Sequence, residues 1–329
     1  MSSAATSLQS VTARVPAKIN LELRVGSRRP DGFHHLATVF HAVGLHDDIT
    51  VEPAPEWGIT INGPYADLVP ADDTNLALRA ARLLAAEAGI DLPVHITIDK
   101  DIPVAAGMAG GSADAAGALL ACDALWGLWS PKAAMEDLAA RLGSDVPFAL
   151  LGGTAMGSGR GDQLAPVLGR RRYTWVLALS NVGLSTPAVY AECDRLRVGT
   201  TVPEPMSSAS MMTALRSGDA GSLGRALRND LQPAALSLQP RLEEVLRTGM
   251  DNGALGGIIS GSGPTLAFLV SDTERSLDLA VALSVSGTVP SVKRAVGPVR
   301  GAHIVTVASG PRGSFGSTGR TGPAGLRSS

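Results

Sequence analysis

The chain contains few aromatic residues, little cysteine and almost no net charge. Aromatic residues make up 4% of its 329 residues, cysteine occurs twice, and the formal net charge is -2 at pH 7. A chain so close to neutrality is not expected to bind nucleic acid or an anionic membrane surface as its main partner. Two cysteines exclude a disulfide-rich scaffold, and Cys122 lies in an apolar helical pattern, so we expect reduced thiols and a cytoplasmic protein.

Long hydrophobic runs are also missing. No uninterrupted apolar run reaches the ~20 residues that a membrane-spanning helix needs. Residues 1–10 lack the basic start and the apolar stretch of a secretory signal. Both absences support the expectation of a cytoplasmic protein without a membrane partner.

Histidine is clustered, which raises the question of a metal site. Four of the six histidines fall between positions 34 and 46, and an Asp47-Asp48 pair follows them. Their spacing matches neither a helical His-x-x-x-His pair nor a Cys/His zinc pattern. We therefore predict no protein-bound metal here and interpret Asp47-Asp48 as a turn before a strand.

A glycine-rich segment at 103–113, PVAAGMAGGSA, is the strongest local feature of the sequence. It runs into an alanine-rich helical pattern, so its backbone N–H groups and the start of the helix together form a cradle for phosphate. It is neither a Walker A sequence nor a Gly-x-Gly-x-x-Gly fingerprint. From this segment alone, a tight turn before an ordinary surface helix remains an alternative.

The length and the order of elements predict two domains. A chain of 329 residues is longer than one typical hydrophobic core supports. We expect a first domain over 1–170 and a second, of α+β type with a split βαβ arrangement, over 171–308. The tail over 309–329 is rich in Gly, Ser, Arg and Pro and is expected to be disordered.

Hydrophobic periodicity and capping residues predict the individual elements. Strands are expected over 12–25, 36–45, 49–52, 58–62, 94–99, 173–179, 265–270 and 303–307. Helices are expected over 76–88, 112–124, 131–142, 241–252 and 273–285, with further helices starting after 145 and at 185.

Three separated segments resemble the motif set of the GHMP small-molecule kinases. They are PAKINL at 16–21, the glycine-rich segment at 103–113 and GIISGSGP at 257–264. Three more segments resemble members that phosphorylate an alcohol carrying a cytidine diphosphate group; they are RPDGFHHL at 29–36, GSDVPF at 143–148 and STP at 185–187. The resemblance, which runs from about 12 to 307, implies a two-domain α+β GHMP kinase fold. Its parts would be an N-terminal nucleotide-binding domain and a C-terminal ferredoxin-like domain.

The resemblance implies that Lys18 and Asp145 are catalytic. Taken alone, Lys18 is equally a solvated strand residue, and Asp145 is equally a helix-start residue. As a pair they suit phosphoryl transfer, because Asp145 would accept or orient the proton of the acceptor hydroxyl. Lys18 would keep Asp145 ionised and place positive charge near the transferring oxygens. A non-catalytic nucleotide-binding protein on the same fold remains a second hypothesis.

The same resemblance implies an ATP site with Mg²⁺ near Ser112. The superfamily often has a second serine where this chain has Ala113, so one hydroxyl contact is in doubt. Asn75 and Lys100 would lie near adenine and ribose, although a helix-start asparagine and a solvated lysine would look the same. The residues implied for ATP binding are Asn75, Lys100, Pro103, Val104, Ala105, Ala106, Gly107, Met108, Ala109, Gly110, Gly111, Ser112 and Ala113.

The acceptor implied by the resemblance is a small molecule, a cytidine diphosphate alcohol. Phe33 and His34 would recognise cytosine by stacking and polar contact, although Phe33 could instead be a core residue where the family often has tyrosine. Thr186, Asn20 and Asp145 would surround the alcohol. Gly261 and Gly263 would let a loop approach the substrate, unless they form a plain hairpin turn. We expect a monomer or a weak homodimer, and kinases of the homoserine or mevalonate type are the nearest alternatives.

Overall fold

The computed structural model describes residues 7–169 and 171–310. Its strands are β1 (Ser7–Arg28), β2 (His34–Pro53), β3 (Gly58–Asn62), β4 (Val94–Asp99), β5 (Thr154–Ser158), β6 (Gln163–Pro166), β7 (Tyr173–Leu179), β8 (Arg228–Asn229), β9 (Gly256–Ile259), β10 (Leu266–Val270), β11 (Ser291–Gly297) and β12 (His303–Gly310). Its helices are α1 (Leu76–Ala88), α2 (Gly110–Trp126), α3 (Lys132–Leu142), α4 (Val146–Leu151), α5 (Thr186–Leu196), α6 (Ala209–Ser217), α7 (Ala220–Ala226), α8 (Gln232–Leu238), α9 (Arg241–Asp251) and α10 (Thr273–Val285).

The first sheet is built around the long antiparallel pair β1 and β2. Every second residue of β1 between Val11 and Leu21 is an apolar side chain with no exposed surface, as the two-residue period of a strand requires. Helix α2 packs against this face. A Cβ on Gly117 of α2 would lie 2.6 Å from Ile49 Cδ1, so glycine lets the helix lie close to the sheet.

The first sheet has the order β12-β1-β2-β4-β3, and β5 and β6 extend it from β2. Because β12 pairs with β1, the last strand that the structure describes joins the sheet of the first. Ser309 and Gly310 belong to this strand, although the sequence assigned them to the tail. The rest of the predicted tail, 311–329, lies outside the described residues.

The second sheet is antiparallel, with the order β11-β7-β10-β9. Helices α5 to α9 lie between β7 and β9 in the chain, β9 and β10 are consecutive strands, and α10 connects β10 to β11. In the sheet, β10 lies between β7 and β9. Together with this order of elements along the chain, that position is the split βαβ arrangement of ferredoxin-like domains. This confirms the predicted α+β class and the ferredoxin-like second half.

Some predicted elements are confirmed and others are wrong. The bounds expected over 58–62, 76–88, 94–99, 173–179 and 273–285 match the structure. The two strands expected over 36–45 and 49–52 are one strand, β2, and the turn expected at Asp47-Asp48 does not occur. In the described parts of the chain, no helix is both long and apolar enough to cross a membrane.

Candidate active site

The glycine-rich segment joins β4 to α2 and has an unusual backbone. Ala105, Gly107 and Ala109 have φ angles of 51°, 74° and 60°, so alternate residues lie in the left-handed region. Helix α2 begins at the next residue, Gly110, and its first N–H groups have no helical acceptors. This backbone forms a concave loop that ends at a positive helix terminus, which is the geometry that binds phosphate.

Contacts from both sheets fix this loop. The Lys18 backbone N–H on β1 donates to Met108 O at 3.2 Å. The Ser260 hydroxyl, in the turn after β9, donates to Gly107 O at 2.9 Å. A Cβ on Gly107 would lie 2.0 Å from Ser260 O, so only glycine allows this approach.

The turn between β9 and β10 is more than a simple hairpin connection. Gly261 and Gly263 have φ angles of 56° and 81°. The Asn229 side chain on β8 donates to Ile259 O and to Gly261 O, both at 2.7 Å. A Cβ on Gly261 would lie 3.4 Å from Lys18 Nζ, whereas Gly263 packs against Ile259. Gly261 thus approaches the site, and Gly263 shapes the turn behind it.

Lys18 and Asp145 meet above this loop. Lys18 Nζ lies 3.6 Å from Asp145 Oδ2 and donates to Asn20 Oδ1 at 2.7 Å. Asn20 in turn donates to Thr38 Oγ1 at 2.8 Å, which orients its amide. The Asp145 side chain is 29% exposed and makes no capping hydrogen bond to α4, so its carboxylate is open to a ligand.

A cavity of about 450 Å³ contains most of the predicted nucleotide and catalytic residues. Apolar residues from the segment before α1, including Leu68 and Val69, form another part of its wall. Met108 and Ala113 are buried outside the lining. The predicted residues that line the cavity are Lys18, Asn20, Asn75, Lys100, Pro103, Val104, Ala105, Ala106, Gly107, Ala109, Gly110, Gly111, Ser112, Asp145, Thr186 and Gly261.

Phe33 and His34 line a second cavity, of about 850 Å³. The Phe33 side chain is 56% exposed at the tip of a turn, so it is not a core residue. His34 Nε2 donates to Asp194 Oδ1 at 2.8 Å, and its ring lies 5.1 Å from the ring of Tyr190. Burial raises the pKa of Tyr190 and keeps its hydroxyl protonated. The arrangement offers an exposed aromatic face beside a fixed imidazole.

Two family models and several curated relatives match this chain. The models described as GHMP kinases N terminal domain and GHMP kinases C terminal match residues 75–153 and 211–287. A 4-diphosphocytidyl-2-C-methyl-D-erythritol kinase of Streptomyces avermitilis is 55% identical over 296 residues, which is 90% of this chain and 100% of the relative. The enzyme of that name from Mycolicibacterium smegmatis is 54% identical over 91% of this chain and 94% of its own.

The chain belongs to the 4-diphosphocytidyl-2-C-methyl-D-erythritol kinase family. It is a small-molecule kinase of the GHMP type. A crystal structure of a 4-(cytidine 5'-diphospho)-2C-methyl-D-erythritol kinase has a TM-score of 0.72 and 33% identity, covering 87% of this chain and 99% of that one. Mevalonate kinase from L. major also has a TM-score of 0.72, with 15% identity over 90% of this chain and 98% of its own, and thus shares the fold.

Asn75 and Lys100 line the first cavity, but their side chains bond to other groups of the protein. Asn75 caps α1, accepting from Ala77 N and donating to Pro70 O, both at 2.8 Å. Lys100 Nζ donates to Asp47 Oδ2 at 2.6 Å and to Asp114 Oδ2 at 2.7 Å. Contact of either side chain with adenine or ribose therefore stays a prediction.

The Lys100 cluster, defined here as Lys100, Asp47 and Asp114, is buried, and it lies next to Gly110 of the glycine-rich loop. Burial opposes the charge on Lys100, but its two carboxylate partners outweigh that and raise its pKa. Burial, with the neighbouring Asp47 carboxylate, raises the pKa of Asp114 above its ordinary value. Asp47 Oδ1 also accepts from the Asp101 and Ile102 N–H groups, so the cluster ties β2 to the start of the loop.

Tyr190, Asp194 and Arg160 are among the polar residues of the second cavity that the sequence analysis missed. Thr186, Tyr190 and Asp194 follow one another at four-residue intervals on α5, so they share one helical face. Because the sequence predicts a helix that starts at 185, this spacing could have identified Tyr190 and Asp194 as neighbours of Thr186. Arg160 lies between two glycines in the β5–β6 turn, and those short strands were not predicted.

The clustered histidines do not converge on a metal. His41 is buried, with Nδ1 hydrogen-bonded to Thr154 Oγ1 at 2.8 Å, and desolvation lowers its pKa to about 3. His34 pairs with Asp194 instead. Within 7–169 and 171–310, no three His, Cys, Asp or Glu residues are grouped as metal ligands.

Proposed function

We propose that this protein transfers the γ-phosphoryl group of ATP to the 2-hydroxyl of 4-diphosphocytidyl-2-C-methyl-D-erythritol, in non-mevalonate isoprenoid precursor synthesis. One observation carries the proposal. The open Asp145 carboxylate, 3.6 Å from Lys18 Nζ, lies between a glycine-rich phosphate cradle and a cavity with an exposed aromatic ring. An acceptor hydroxyl at Asp145 would face the nucleotide phosphates while its base occupied the second cavity.

Asp145 orients the acceptor hydroxyl and receives its proton as the bond to phosphorus forms. Little proton transfer is needed early in a loose transition state, so an ordinary carboxylate suffices. Lys18 keeps that carboxylate ionised and places charge beside the transferring oxygens. An ammonium has three donors, and Lys18 uses one of them in its bond to Asn20, while Asp145 lies at ion-pair distance. A remaining donor would bind a substrate oxygen.

The phosphate loop and Ser112 would hold ATP and its Mg²⁺. The fit rests on the left-handed loop residues and on the close approach at Gly107, which together turn the backbone toward the cavity. When bound, the metal neutralises phosphate charge. Ala113 is 1% exposed and lies outside the cavity lining, so a hydroxyl at this position would not face the nucleotide directly.

Phe33 and His34 would hold the cytosine ring. The exposed face of Phe33 is free to stack on the base. His34 Nε2 bonds to Asp194, so in the neutral imidazole the free Nδ1 would accept from the exocyclic amino group of cytosine.

Steady-state kinetics with each substrate varied in turn would test the proposal. Base stacking contributes ~1–3 kcal/mol, so Phe33→Ala should raise the acceptor KM by roughly ten- to a hundredfold and leave the ATP KM little changed. Phe33→Tyr is the matched control and should be tolerated, because it keeps the ring. Equal turnover of homoserine or mevalonate, or no turnover of the cytidine diphosphate alcohol with labelled ATP, would contradict the proposal.

The remaining features of the proposal concern organisation. The nucleotide-binding domain would comprise 1–170 with β12 added, and the rest of 171–308 would form the second domain. We infer a cytoplasmic enzyme, a monomer or weak homodimer, whose partner is a small molecule and not nucleic acid.

A further inference from the structure

The two cavities of the site meet, and only one residue at their junction is charged. Five residues line both cavities; they are Leu36, Ser144, Arg160, Thr186 and Tyr190. Arg160 alone among them carries a charge at neutral pH, and two carboxylates, Asp145 and Asp194, flank the junction on either side. Lys18 lines only the first cavity and Arg28 and Arg141 only the second, so Arg160 is the cation placed to contact an anionic group that spans both.

The backbone around Arg160 is anchored, whereas its side chain is exposed. Gly159 and Gly161 have φ angles of 69° and 94°, so the turn is tight. The Leu36 N–H on β2 donates to Gly159 O at 2.9 Å and ties the turn to the sheet. The Arg160 side chain is 46% exposed.

The present partners of the guanidinium hold it weakly. Arg160 Nη2 lies 3.2 Å from Asp162 Oδ2, two residues away, and the guanidinium carbon lies 5.8 Å from the centroid of the Phe33 ring. Exposed ion pairs contribute little to stability, so a stronger anion replaces such a partner readily. Arginine binds phosphate through two parallel N–H donors, which a neutral hydroxyl cannot do.

We propose that Arg160 binds the diphosphate of the acceptor, and this inference rests on the proposed function. In a cytidine diphosphate alcohol, the diphosphate joins the nucleoside to the alcohol. With the base at Phe33 and the hydroxyl at Asp145, the diphosphate lies at the junction beside Arg160. Arg160 thus determines specificity for a diphosphate-linked substrate, while Phe33 and His34 determine specificity for the base.

Calorimetric titration of the full chain tests this assignment. Cytidine, cytidine 5'-monophosphate and cytidine 5'-diphosphate are titrated in the presence of a non-hydrolysable ATP analogue, which fills the nucleotide cavity. Wild-type protein should bind the diphosphate about ten- to a hundredfold more tightly than cytidine, the range expected for one or two charge-assisted hydrogen bonds. Arg160→Gln should reduce this ratio to about threefold or less and bind cytidine as wild type does. Arg160→Lys should keep part of the ratio.

The control variant is Arg247→Gln, which removes an exposed arginine of α9 that pairs with Asp251. It should keep the wild-type ratio. An Arg160→Gln protein that keeps the full ratio, or that loses cytidine and diphosphate binding equally, would overturn the inference and leave the proposed function standing. An increase in the ATP KM without loss of diphosphate binding would also overturn it, by assigning Arg160 to the nucleotide. Failure of wild type to bind any of the three ligands would instead count against the acceptor itself.

Discussion

Two lysine–aspartate groups lie within the same cavity wall and differ in almost every physical respect. Lys18 is 3.6 Å from one half-open carboxylate, whereas Lys100 is within 2.7 Å of two carboxylates that have almost no exposed surface. Lys18 keeps a donor for a ligand. Both carboxylate partners of Lys100 are buried inside the protein, whereas the Asp145 carboxylate beside Lys18 is partly exposed.

The difference shows what makes a charged pair available for chemistry. A buried ion pair with short bonds cannot exchange partners without a large desolvation cost, so it fixes backbone positions. A loosely paired lysine beside an open carboxylate can accept a substrate between its members. Both groups consist of a lysine and aspartate, and both lie next to the glycine-rich loop. They differ in the number of carboxylates around the lysine and in how exposed those carboxylates are, and these differences give the two groups different roles.

The largest effect expected is on turnover. Asp145→Asn should lower kcat by ~10²–10⁴-fold, because it removes the group that orients and deprotonates the hydroxyl. The melting temperature should stay close to that of wild type, because the carboxylate does not cap α4. Rapid-quench kinetics and thermal unfolding measure the two quantities. A variant with near-normal turnover would remove Asp145 from the catalytic role.

Lys100→Met should act on stability. It leaves Asp47 and Asp114 buried without their cation, and breaking such a cluster costs ~3–5 kcal/mol of unfolding free energy. Lys18→Met is the matched variant and should cost only about 1 kcal/mol while lowering turnover. Urea denaturation of both proteins gives the comparison. Equal losses of unfolding free energy in the two variants would contradict the difference in burial and pairing between Lys100 and Lys18.

Adjacent glycines give a third, smaller contrast. A Cβ on Gly110 would lie 2.9 Å from Lys100 Nζ, which its two carboxylates hold in place. Gly110→Ala should therefore cost ~1–3 kcal/mol of unfolding free energy. A Cβ on Gly111 meets nothing nearer than Leu76 Cδ1 at 3.8 Å, so Gly111→Ala should be neutral or stabilise α2 by up to ~1 kcal/mol. Chemical denaturation distinguishes them, and a harmless Gly110→Ala would show that Lys100 is not rigidly held.

The smallest effect should come from Asp114→Asn, which leaves Lys100 its bond to Asp47. At neutral pH we expect a change of about 1 kcal/mol or less. The pH dependence is more informative. Because burial raises the folded pKa of Asp114 above its ordinary value of 3.8, wild type loses stability relative to the variant as pH rises above about 4. Unfolding free energies measured from pH 4 upward should show this trend, and a trend of opposite sign would contradict the assigned shift.

Local patterns predicted much of the fold and part of the site. The two-residue period of β1 placed Lys18 and Asn20 on one face, and the 2.7 Å bond between them confirms it. Hydrophobic periodicity predicted the bounds of α1, β4 and α10. The phosphate loop was recognisable because glycine-rich backbone directly precedes a helix.

Long-range pairing explains what was not predicted. Asp47 resembles a turn residue locally, but Lys100, 53 positions away, stabilises it inside β2. Arg160 lies in a short hairpin whose strands lack alternation, and the importance of Asp194 depends on its bond to His34, 160 positions away. A local sequence pattern covers only neighbouring residues, so it cannot predict contacts between residues this far apart in the chain.

The pairing of the first strand with the last has a consequence for biosynthesis. Residues Ser7 to Arg14 of β1 pair along one edge with Gly310 to His303 of β12, which is synthesised long after β1. Until β12 has been made, that edge of β1 therefore has open backbone N–H and C=O groups that could pair with another chain. A nascent chain that lost β12 would keep this edge of β1 open permanently.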